Sequence, residues 1–245
     1  MIGSKNGGNI VTDSSQLKLF ATHPHPCSYL DNKEATTTFI DPEATVDKPL
    51  YSQLADMGFR RSGSHIYRPS CADCNACIPA RVRVEDFNRQ RKHRRIWSKN
   101  QDLSVEKVTD IRGDEYFSLY QRYINTRHTD GDMFPADRDE YHAFLCSNFE
   151  MSESYRFSLA GKLICLAVTD KMEQGISAIY TFFDPDQHAR SLGVYAVLWQ
   201  IEEVKRLGLT SLYLGYWIKD CQKMNYKINY RPLELLINGR WLALT

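Results

Sequence analysis

Residues 155–183, YRFSLAGKLICLAVTDKMEQGISAIYTFF, are the stretch that decides the fold of this chain. β-branched, aromatic and other apolar residues recur there in short runs, a pattern typical of strands. The runs predict three antiparallel strands, at residues 155–160, 163–170 and 176–183. A sheet is therefore expected at the centre of the C-terminal half.

The segments on either side of these strands add helices and two more strands. Apolar residues at helical spacing predict helices at 113–127 and 137–149 before the strands and at 191–207 after them. Further strands are predicted at residues 211–218 and 233–237. Two helices, three antiparallel strands, a helix and two strands are the element order of an N-acyltransferase fold. We therefore expect an α+β, GNAT-like domain.

The N-terminal half is predicted to be a region of short helices and strands. A helix is expected at 49–57, where Gly58 ends it, and a second at 89–100, capped by Asn88 or Asp86. Strands are expected at residues 59–68, 80–84 and 103–109. The chain is divided into a leader at 1–16, an N-terminal cysteine-containing, basic domain at 17–110 and an acyltransferase-like domain at 111–245.

The composition is ordinary for a globular protein, at 42% hydrophobic and 25% charged residues in a chain of 245. The chain has no run of 18 apolar residues, so no transmembrane helix is expected. Its first residues, MIGSKNGGNIVTDSSQ, lack the apolar centre of a secretory signal. We therefore expect a cytoplasmic protein with no membrane partner, whose seven cysteines are reduced.

Residues 58–100 carry an unusual excess of positive charge. They hold 11 Lys and Arg against 3 Asp and Glu, about +8, whereas the whole chain is formally +1. The candidates for phosphate contact lie on the predicted helix at 89–100: Arg89, Arg91, Arg94 and Arg95. Such a helix repels itself unless phosphates or acidic groups neutralise it. This favours a nucleic acid, and RNA over duplex DNA because no helix-turn-helix pattern is present. The alternative is a solvated charged face.

Three cysteines at two-residue spacing interrupt the basic segment: Cys71, Cys74 and Cys77. Thiolates at this spacing on a tight loop can converge on one metal ion. Cys27 is the expected fourth ligand, with His23 and His25 as substitutes. Zinc would give a closed structural site, and an iron–sulfur cluster is the other candidate; the alternative is a turn with buried or free thiols. The remaining cysteines are predicted to be core residues: Cys146, Cys165 and Cys221.

Residues 190–195, RSLGVY, partly match the coenzyme A motif of N-acyltransferases. That motif, Arg/Gln-x-x-Gly-x-Gly/Ala, holds a pyrophosphate on the backbone amides of a helix N-terminus. The chain keeps Arg190 and Gly193 but has Tyr195 where a small residue belongs. The bulky ring is expected to obstruct a pyrophosphate. Either the acyl donor is not coenzyme A, or the segment is an ordinary helix start.

Several polar side chains are candidates for a transfer site. His128 follows a predicted helix and is either a base or a capping side chain. Tyr216 ends a strand at the position where acyltransferases often open the sheet to seat the acceptor. The cations that follow it could pair with an acidic acceptor: Lys223, Lys227 and Arg231. The sequence has no Ser–His–Asp elbow, phosphate-binding loop or dinucleotide fingerprint.

Longer segments of the sequence resemble a known family. They are HPHPCSYL at 23–30, GFRRSG at 58–63, YRPSCADCNACIPARVRV at 67–84, RRIWSKN at 94–100, YINTRHTDGDM at 123–133, AIYTFFDPD at 178–186, RSLGVYAV at 190–197 and LGYWIKDCQKMNYK at 214–227. Together they are similar to the bacterial aspartate/glutamate leucyltransferases, relatives of the eukaryotic arginyl-tRNA–protein transferases. The resemblance implies transfer of an amino acid from aminoacyl-tRNA to the N-terminal amine of a protein, which tags it for N-end rule degradation.

We therefore expect the chain to move leucine from leucyl-tRNA to proteins that begin with Asp or Glu, with arginine as the alternative amino acid. Two alternatives come from other classes, an acetyl-coenzyme A-dependent N-acetyltransferase and a non-catalytic, zinc-dependent RNA-binding protein. No cofactor is required for the transfer, because aminolysis of an ester is favourable once the reactants are positioned. The candidate contacts to the acidic acceptor are Arg60, Arg61, Lys223 and Lys227. The candidates to line the transfer site are Tyr180, Tyr216 and His128.

Overall fold

Strands and helices alternate along the computed structural model, which describes residues 10–11 and 17–244. The strands are β1 (Ile10–Val11), β2 (Leu19–Ala21), β3 (His25–Pro26), β4 (Glu34–Ala35), β5 (Thr37–Ile40), β6 (Thr45–Val46), β7 (Arg60–Ser62), β8 (His65–Pro69), β9 (Ile78–Arg83), β10 (Leu103–Val108), β11 (Ser152–Leu159), β12 (Lys162–Lys171), β13 (Gly175–Phe183), β14 (Ser211–Trp217), β15 (Leu233–Ile237) and β16 (Arg240–Leu244). The α-helices are α1 (Lys48–Asp56), α2 (Arg91–Lys99), α3 (Asp114–Arg127), α4 (Arg138–Leu145), α5 (Leu192–Arg206) and α6 (Gln222–Asn225). Short 3-10 helices lie at Pro185–Arg190 and Tyr226–Asn229.

An eight-stranded sheet forms the centre of the molecule, in the order β10-β11-β12-β13-β14-β9-β15-β16. Neighbouring strands are antiparallel except for β13 and β14, which are parallel. The three antiparallel strands predicted from the sequence are β11, β12 and β13. The helix predicted after them is α5, and it leads into β14. The predicted α+β fold with the element order of an N-acyltransferase is confirmed.

Helices cover both faces of this sheet. Residues 163–170 of β12 are all buried, as expected for a strand that is covered on both sides. On one face α2 and α5 pack against the sheet in a core that includes Ile96 and Leu198. On the other face α3 and α4 form a second core, which includes Ile124 and Tyr141. Burial of these apolar faces is the main favourable contribution to the fold.

A smaller sheet, in the order β2-β5-β8-β7, belongs to the N-terminal half. Helix α1 packs beside it in a third core, which includes Leu54 and Ile66. The helix starts after Asp47, whose side chain accepts a hydrogen bond from the backbone N–H of Leu50 at 2.9 Å, a typical N-cap. It ends before Gly58, which has a φ of +88°, as the sequence predicts.

A buried ion pair joins the small sheet to the large one. Arg61 of β7 donates two hydrogen bonds to Asp170 of β12, at 2.7 Å from Nε and 2.6 Å from Nη2. The Tyr51 hydroxyl of α1 donates a third to the same carboxylate, at 2.7 Å. Both charged side chains are fully buried. Removing one partner would leave the other charge buried and unpaired. This contact therefore holds the two sheets together.

Some elements differ from their predictions. The predicted caps of α2 are wrong, because the helix starts after Gln90 and makes no side-chain cap bond there. The single strand predicted at 59–68 is a hairpin, since Gly63 has a φ of +59° and turns the chain between β7 and β8. The sequence pattern also missed β16, the edge strand of the large sheet.

The large sheet takes strands from both sides of the predicted domain boundary near residue 110. β9 lies between β14 and β15, and β10 lies at the edge beside β11. The boundary itself stays a prediction. Of the predicted leader at 1–16, only residues 10–11 lie within the described part of the chain, where they pair in parallel with β6. In the described ranges, no helix is both long and apolar enough to cross a membrane.

Candidate active site

β13 and β14 run side by side only at their first residues. They pair at Gly175–Ser211, Ile176–Leu212 and Ser177–Tyr213. Beyond these pairs, register shifts interrupt the ladders that both strands form with their other neighbours. Because a β-bulge bends its strand, the two strands separate and leave a gap in the sheet. We call this gap the opening; its edges are Ser177, Ala178, Gly215 and Tyr216.

Arg60 reaches the opening from β7 of the small sheet. Its Nη1 donates a hydrogen bond to Ser177 Oγ at 2.6 Å, and its Nη2 donates to the Ala178 carbonyl. On the other side, a Cβ at Gly215 would lie 3.4 Å from the Arg60 Nε and Nη2 atoms. Gly215 has a φ of +79°, and the missing side chain lets the guanidinium approach the backbone. Arg60 therefore places a fixed positive charge between the two strands.

Lys227 lies beside this cation, on the 3-10 helix that follows α6. The residue is only 3% exposed, and its Nζ donates a hydrogen bond to the Tyr216 carbonyl at 2.6 Å. Burial, and then the charge of Arg60, lower the pKa of Lys227 to about 7. Two thiols oppose this effect, those of Cys221 and Cys77. The buried amine therefore loses its proton far more readily than an exposed lysine does.

The two tyrosines predicted to line the transfer site lie on the two strands of the opening. Tyr216 is buried and donates its hydroxyl proton to the Gly58 carbonyl at 2.9 Å, so it ties β14 to the end of α1. Tyr180 packs edge-to-face on Phe144, with ring centroids 5.2 Å apart. Burial raises the pKa of both hydroxyls. Both side chains are therefore neutral at physiological pH.

His128, the third predicted transfer-site residue, is the C-terminal cap of α3. Its ring packs on Tyr123 with centroids 5.0 Å apart. Burial, followed by the charges of Lys223 and Arg127, lowers the pKa of the imidazole. Its Nε2 is buried without a hydrogen-bond partner in the described part of the chain. Lys223 itself pairs with Asp130 at 2.8 Å, and both side chains are mostly exposed.

Arg61 was predicted to contact the acceptor, but its guanidinium faces away from the solvent. It is held by Asp170 and by the Gly63 carbonyl, and its side chain has no exposed area. An acceptor carboxylate would have to displace Asp170 to reach it. We therefore retain Arg60 and Lys227 for the site and leave Arg61 out.

The cysteines of the predicted metal site are free thiols. Burial raises the pKa of Cys77 to about 12, and the neighbouring thiols Cys27, Cys71, Cys74 and Cys221 add to the shift. The structure thus brings these cysteines near one another. Nevertheless, within residues 10–11 and 17–244, no three or more His, Cys, Asp or Glu side chains are arranged to hold a metal ion. The metal site therefore stays a prediction from the spacing of the cysteines.

Helix α2 presents the predicted basic surface. Its cationic side chains are exposed, and no carboxylate pairs with them in the parts of the chain that are described: Arg91, Lys92, Arg94 and Arg95. The buried side of the helix is fixed by His93, whose ring stacks on Tyr230 at 5.4 Å. Arg89 differs from the other predicted contacts. It precedes the helix, lies 3.7 Å from the Trp97 ring centroid and pairs with Glu202 at 2.8 Å.

The partial coenzyme A motif is occupied by contacts within the protein. Arg190 forms a two-point ion pair with Asp102, at 2.9 and 2.8 Å. A Cβ on Gly193 would lie only 3.0 Å from the Phe183 ring. Tyr195 is buried and packs against Trp97, at 5.4 Å between centroids. The expected obstruction by Tyr195 is therefore wrong, because its ring points into the core. The Arg190 side chain is instead held by its ion pair with Asp102.

The residues that position Arg60 have little signature in the sequence. The strand patterns predict only ordinary strand positions for Ser177 and Gly215. A glycine inside a strand pattern often marks a close approach of another group, so Gly215 carried a usable signal. The burial of Lys227, in contrast, depends on the packing of residues 222–230 and has no signature in the sequence.

Two family descriptions match this chain. Residues 25–95 match "Arginine-tRNA-protein transferase, N terminus", and residues 115–237 match "Arginine-tRNA-protein transferase, C terminus". The matches cover the cysteine loop, the first half of α2 and both strands of the opening.

Curated relatives match along almost the whole length. The aspartate/glutamate leucyltransferase of Pseudomonas fluorescens (strain Pf0-1) is 54% identical over 96% of this chain and 100% of its own length. The protein of the same name from Saccharophagus degradans is 56% identical over 95% of this chain and 99% of its own.

The similarity to solved structures is weaker. FemX aligns with a TM-score of 0.48 and 8% identity, covering 86% of this chain and 81% of its own. L-PGS from Bacillus licheniformis aligns with a TM-score of 0.46 and 10% identity, covering 82% and 69%.

Proposed function

The chain belongs to the arginine-tRNA-protein transferase family, and we propose that it transfers leucine from leucyl-tRNA to the α-amine of proteins that begin with Asp or Glu. The observation that carries this proposal is the identity of more than half of the residues, over almost the whole chain, to relatives named aspartate/glutamate leucyltransferase. The product would be a protein with an added N-terminal leucine, a tag for degradation. We infer that the reaction takes place in the cytoplasm.

Arg60 is the proposed contact for the acidic side chain of the acceptor. It lies in the opening, where Ser177 and Ala178 hold its guanidinium. A guanidinium can bind a carboxylate through two parallel hydrogen bonds. Acceptors that begin with Asn or Gln lack the negative charge, so a fixed cation at this point favours Asp and Glu.

The exposed side of α2 is the proposed contact for the tRNA. Its exposed cations Arg91, Arg94 and Arg95, which pair with no carboxylate among the described residues, suit a phosphate backbone. Arg89 contributes less, since Glu202 and Trp97 already engage its guanidinium. α2 packs with α5 on one face of the large sheet, whereas Arg60 enters from the small sheet, which has a core of its own. The donor and the acceptor can thus approach the opening from different sides.

The reaction needs positioning more than activation. The acceptor amine attacks the ester carbonyl of leucyl-tRNA, a carbon–nitrogen bond forms, and the carbon–oxygen bond to the tRNA ribose breaks. An aminoacyl ester is already a reactive acyl donor, so holding both reactants in contact supplies much of the acceleration. No resident cofactor enters the proposal, and neither does coenzyme A, because the relatives that match almost the whole chain are named aspartate/glutamate leucyltransferase.

A labelled-transfer assay tests this function. Purified protein is incubated with radiolabelled leucyl-tRNA and a peptide that begins with Asp, and in parallel with arginyl-tRNA. Peptides that begin with Asn are the matched acceptor control. We expect label on the Asp peptide from leucyl-tRNA alone. Transfer from arginyl-tRNA would identify arginine as the donor instead, and no transfer from either would refute the proposed function.

A further inference from the structure

Arg60 and Lys227 meet at neighbouring residues of one strand. The Arg60 guanidinium lies 3.4 Å from the position that a Cβ on Gly215 would take, and the Lys227 Nζ donates a hydrogen bond to the carbonyl of Tyr216. Both side chains come from elsewhere in the chain, one from β7 and one from the 3-10 helix after α6. Two cations are therefore brought together at the edge of the opening.

The two side chains are not equivalent in their surroundings. Arg60 is half-buried, and Ser177 Oγ and the Ala178 carbonyl accept two of the five hydrogen bonds that its guanidinium can donate. Lys227 is buried, and its partners among the described residues are one carbonyl and the Met224 sulfur, with no carboxylate. A buried ammonium beside a second cation is costly unless it loses its proton. Arginine does not deprotonate in proteins. Loss of the proton from Lys227 is therefore the way in which this pair can relieve its repulsion.

The groups around Lys227 agree with a neutral amine. Arg60 faces it from β7, and it lowers the pKa of Lys227 after burial does. Cys77, from the loop before β9, and Cys221, before α6, act in the opposite direction. The Cys77 thiol is itself protonated, because burial raises its pKa to about 12. The Tyr216 hydroxyl is neutral as well, and the Tyr226 ring, 5.0 Å from Nζ, carries no charge that pairs with the amine.

An N-terminal Asp or Glu presents its carboxylate and its α-ammonium only a few bonds apart. A site that binds the carboxylate through Arg60 therefore places the α-ammonium near Lys227. We propose that Lys227 is the catalytic base that removes a proton from the α-ammonium of the acceptor. This role rests on the proposed leucyl transfer and divides the two cations between recognition and proton transfer.

The step balances as follows. The neutral Nζ accepts one proton from the α-ammonium, and the freed amine pair attacks the ester carbonyl carbon. As the tetrahedral intermediate collapses, the carbon–oxygen bond to the ribose breaks, and the second nitrogen proton moves to the departing ribose oxygen. Lys227 then releases its proton to the solvent. The net products are the leucylated peptide, free tRNA and one proton.

Rates measured against pH with leucyl-tRNA and a peptide beginning with Asp test this role. The variants are Lys227→Met, which keeps the apolar stem, Lys227→Arg, which keeps a positive charge but cannot accept a proton, and Lys227→Ala. Lys219→Met is the matched control, since Lys219 is an exposed lysine between β14 and α6. Circular dichroism of each variant verifies folding.

We expect Lys227→Met and Lys227→Arg to lower kcat by about 10²–10⁴-fold, the usual range for loss of a general base, with KM for the peptide within about twofold. The wild-type kcat is expected to rise with pH through about 7. Since a peptide α-amine titrates near ~7.7, this profile is compared with that of the Met variant, which retains only the peptide's own titration. Added ethylamine is expected to restore part of kcat in Lys227→Ala.

Several outcomes would overturn the assignment. A wild-type kcat in Lys227→Met or Lys227→Arg, or a raised KM at unchanged kcat, would give Lys227 a binding role only. If the Met and Ala variants do not fold, Lys227→Arg and the wild-type pH profile decide, and a profile without an inflection near 7 refutes the role. Failure of the wild-type protein to transfer leucine at any pH would refute the proposed function, and the role of Lys227 with it.

Discussion

The exposed side of α2 and the opening between β13 and β14 both collect positive charge, but they hold it differently. On α2 the cations lie in solvent, and the described residues offer them no carboxylate. In the opening Arg60 is fixed by two hydrogen bonds and Lys227 is buried. Exposed charges act over long distances, add to one another and are screened by salt. Buried charges act through contact, and their protonation depends on their neighbours.

This difference indicates which substrate each region suits. A tRNA presents many equivalent phosphates, so no single contact on α2 has to be exact in position. An N-terminal Asp or Glu presents one carboxylate and one amine, which require particular partners. We therefore expect single substitutions to have small effects on α2 and large effects in and behind the opening.

The largest effect is expected from Asp170→Asn, which removes the charge that pairs with Arg61 behind the opening. Breaking one partner of a buried ion pair costs about 3–5 kcal/mol, so the free energy of unfolding should fall by about that amount in a denaturant titration. Asp110→Asn is the control, because its ion pair with Arg112 is exposed. Equal losses in both variants would show that the buried pair does not hold the two sheets together.

The next largest effect is expected for Arg60→Met. Removing one partner of a buried, hydrogen-bonded charge pair costs about 2–5 kcal/mol, so kcat/KM for a peptide beginning with Asp should fall by about 10²-fold or more. Arg68→Met is the matched control, since Arg68 lies on the adjacent strand and packs over Phe59. An Arg60→Met enzyme with nearly normal kcat/KM would exclude the opening as the carboxylate site.

A smaller effect concerns the stability of the fold at different pH values. The pKa of Lys227 is about 7 in the folded protein and ~10.4 in an unfolded chain. Between these values the unfolded chain binds more protons, so raising the pH favours the folded state, by ~1 kcal/mol per pH unit. The free energy of unfolding of the wild type should rise from pH 7 to pH 9 relative to that of Lys227→Met. Parallel curves for the two proteins would show that Lys227 is charged when buried.

The smallest effect is expected on α2. Reversing Arg91 and Arg95 to Glu should raise the KM for leucyl-tRNA by ~10-fold and reduce the dependence of log KM on log salt concentration by ~1–2. The control reverses Lys48 and Lys171, which lie on α1 and at the end of β12. An unchanged salt dependence in the α2 variant would move the tRNA contact to another surface.

Several helices and strands were predictable because each is specified by its own local sequence pattern. Apolar spacing specified α3 and α5, and the run LICLAV specified β12 without any knowledge of its neighbours. The caps of α2 were not predictable, because packing of His93 and Ile96 sets where the helix begins. Hydrophobic patterning also could not reveal that β9 inserts beside β14, since pairing of distant strands leaves no local trace.

The residue types of the candidate site were predictable, but the burial, pairing and protonation of the individual side chains were not. Arg60 and Lys227 lie in segments that carry the family resemblance and are predicted acceptor contacts, and the structure has both at the opening. Arg61, one residue from Arg60, looks the same in the sequence but forms a buried ion pair with Asp170. Alternation along β7 explains the difference, because neighbouring side chains of a strand point to opposite faces.

The position of β9 also has a consequence for how the chain is made. β9 is complete at residue 83, but its partners β14 and β15 begin at residues 211 and 233. At a synthesis rate of ~5–20 residues per second, β9 is synthesised on the order of ten seconds before the strands that pair with it. During that time its edges, and the thiols of the loop just before it, remain open to the cellular environment. The ribosome-bound intermediate is therefore the form of this protein most exposed to aggregation and oxidation.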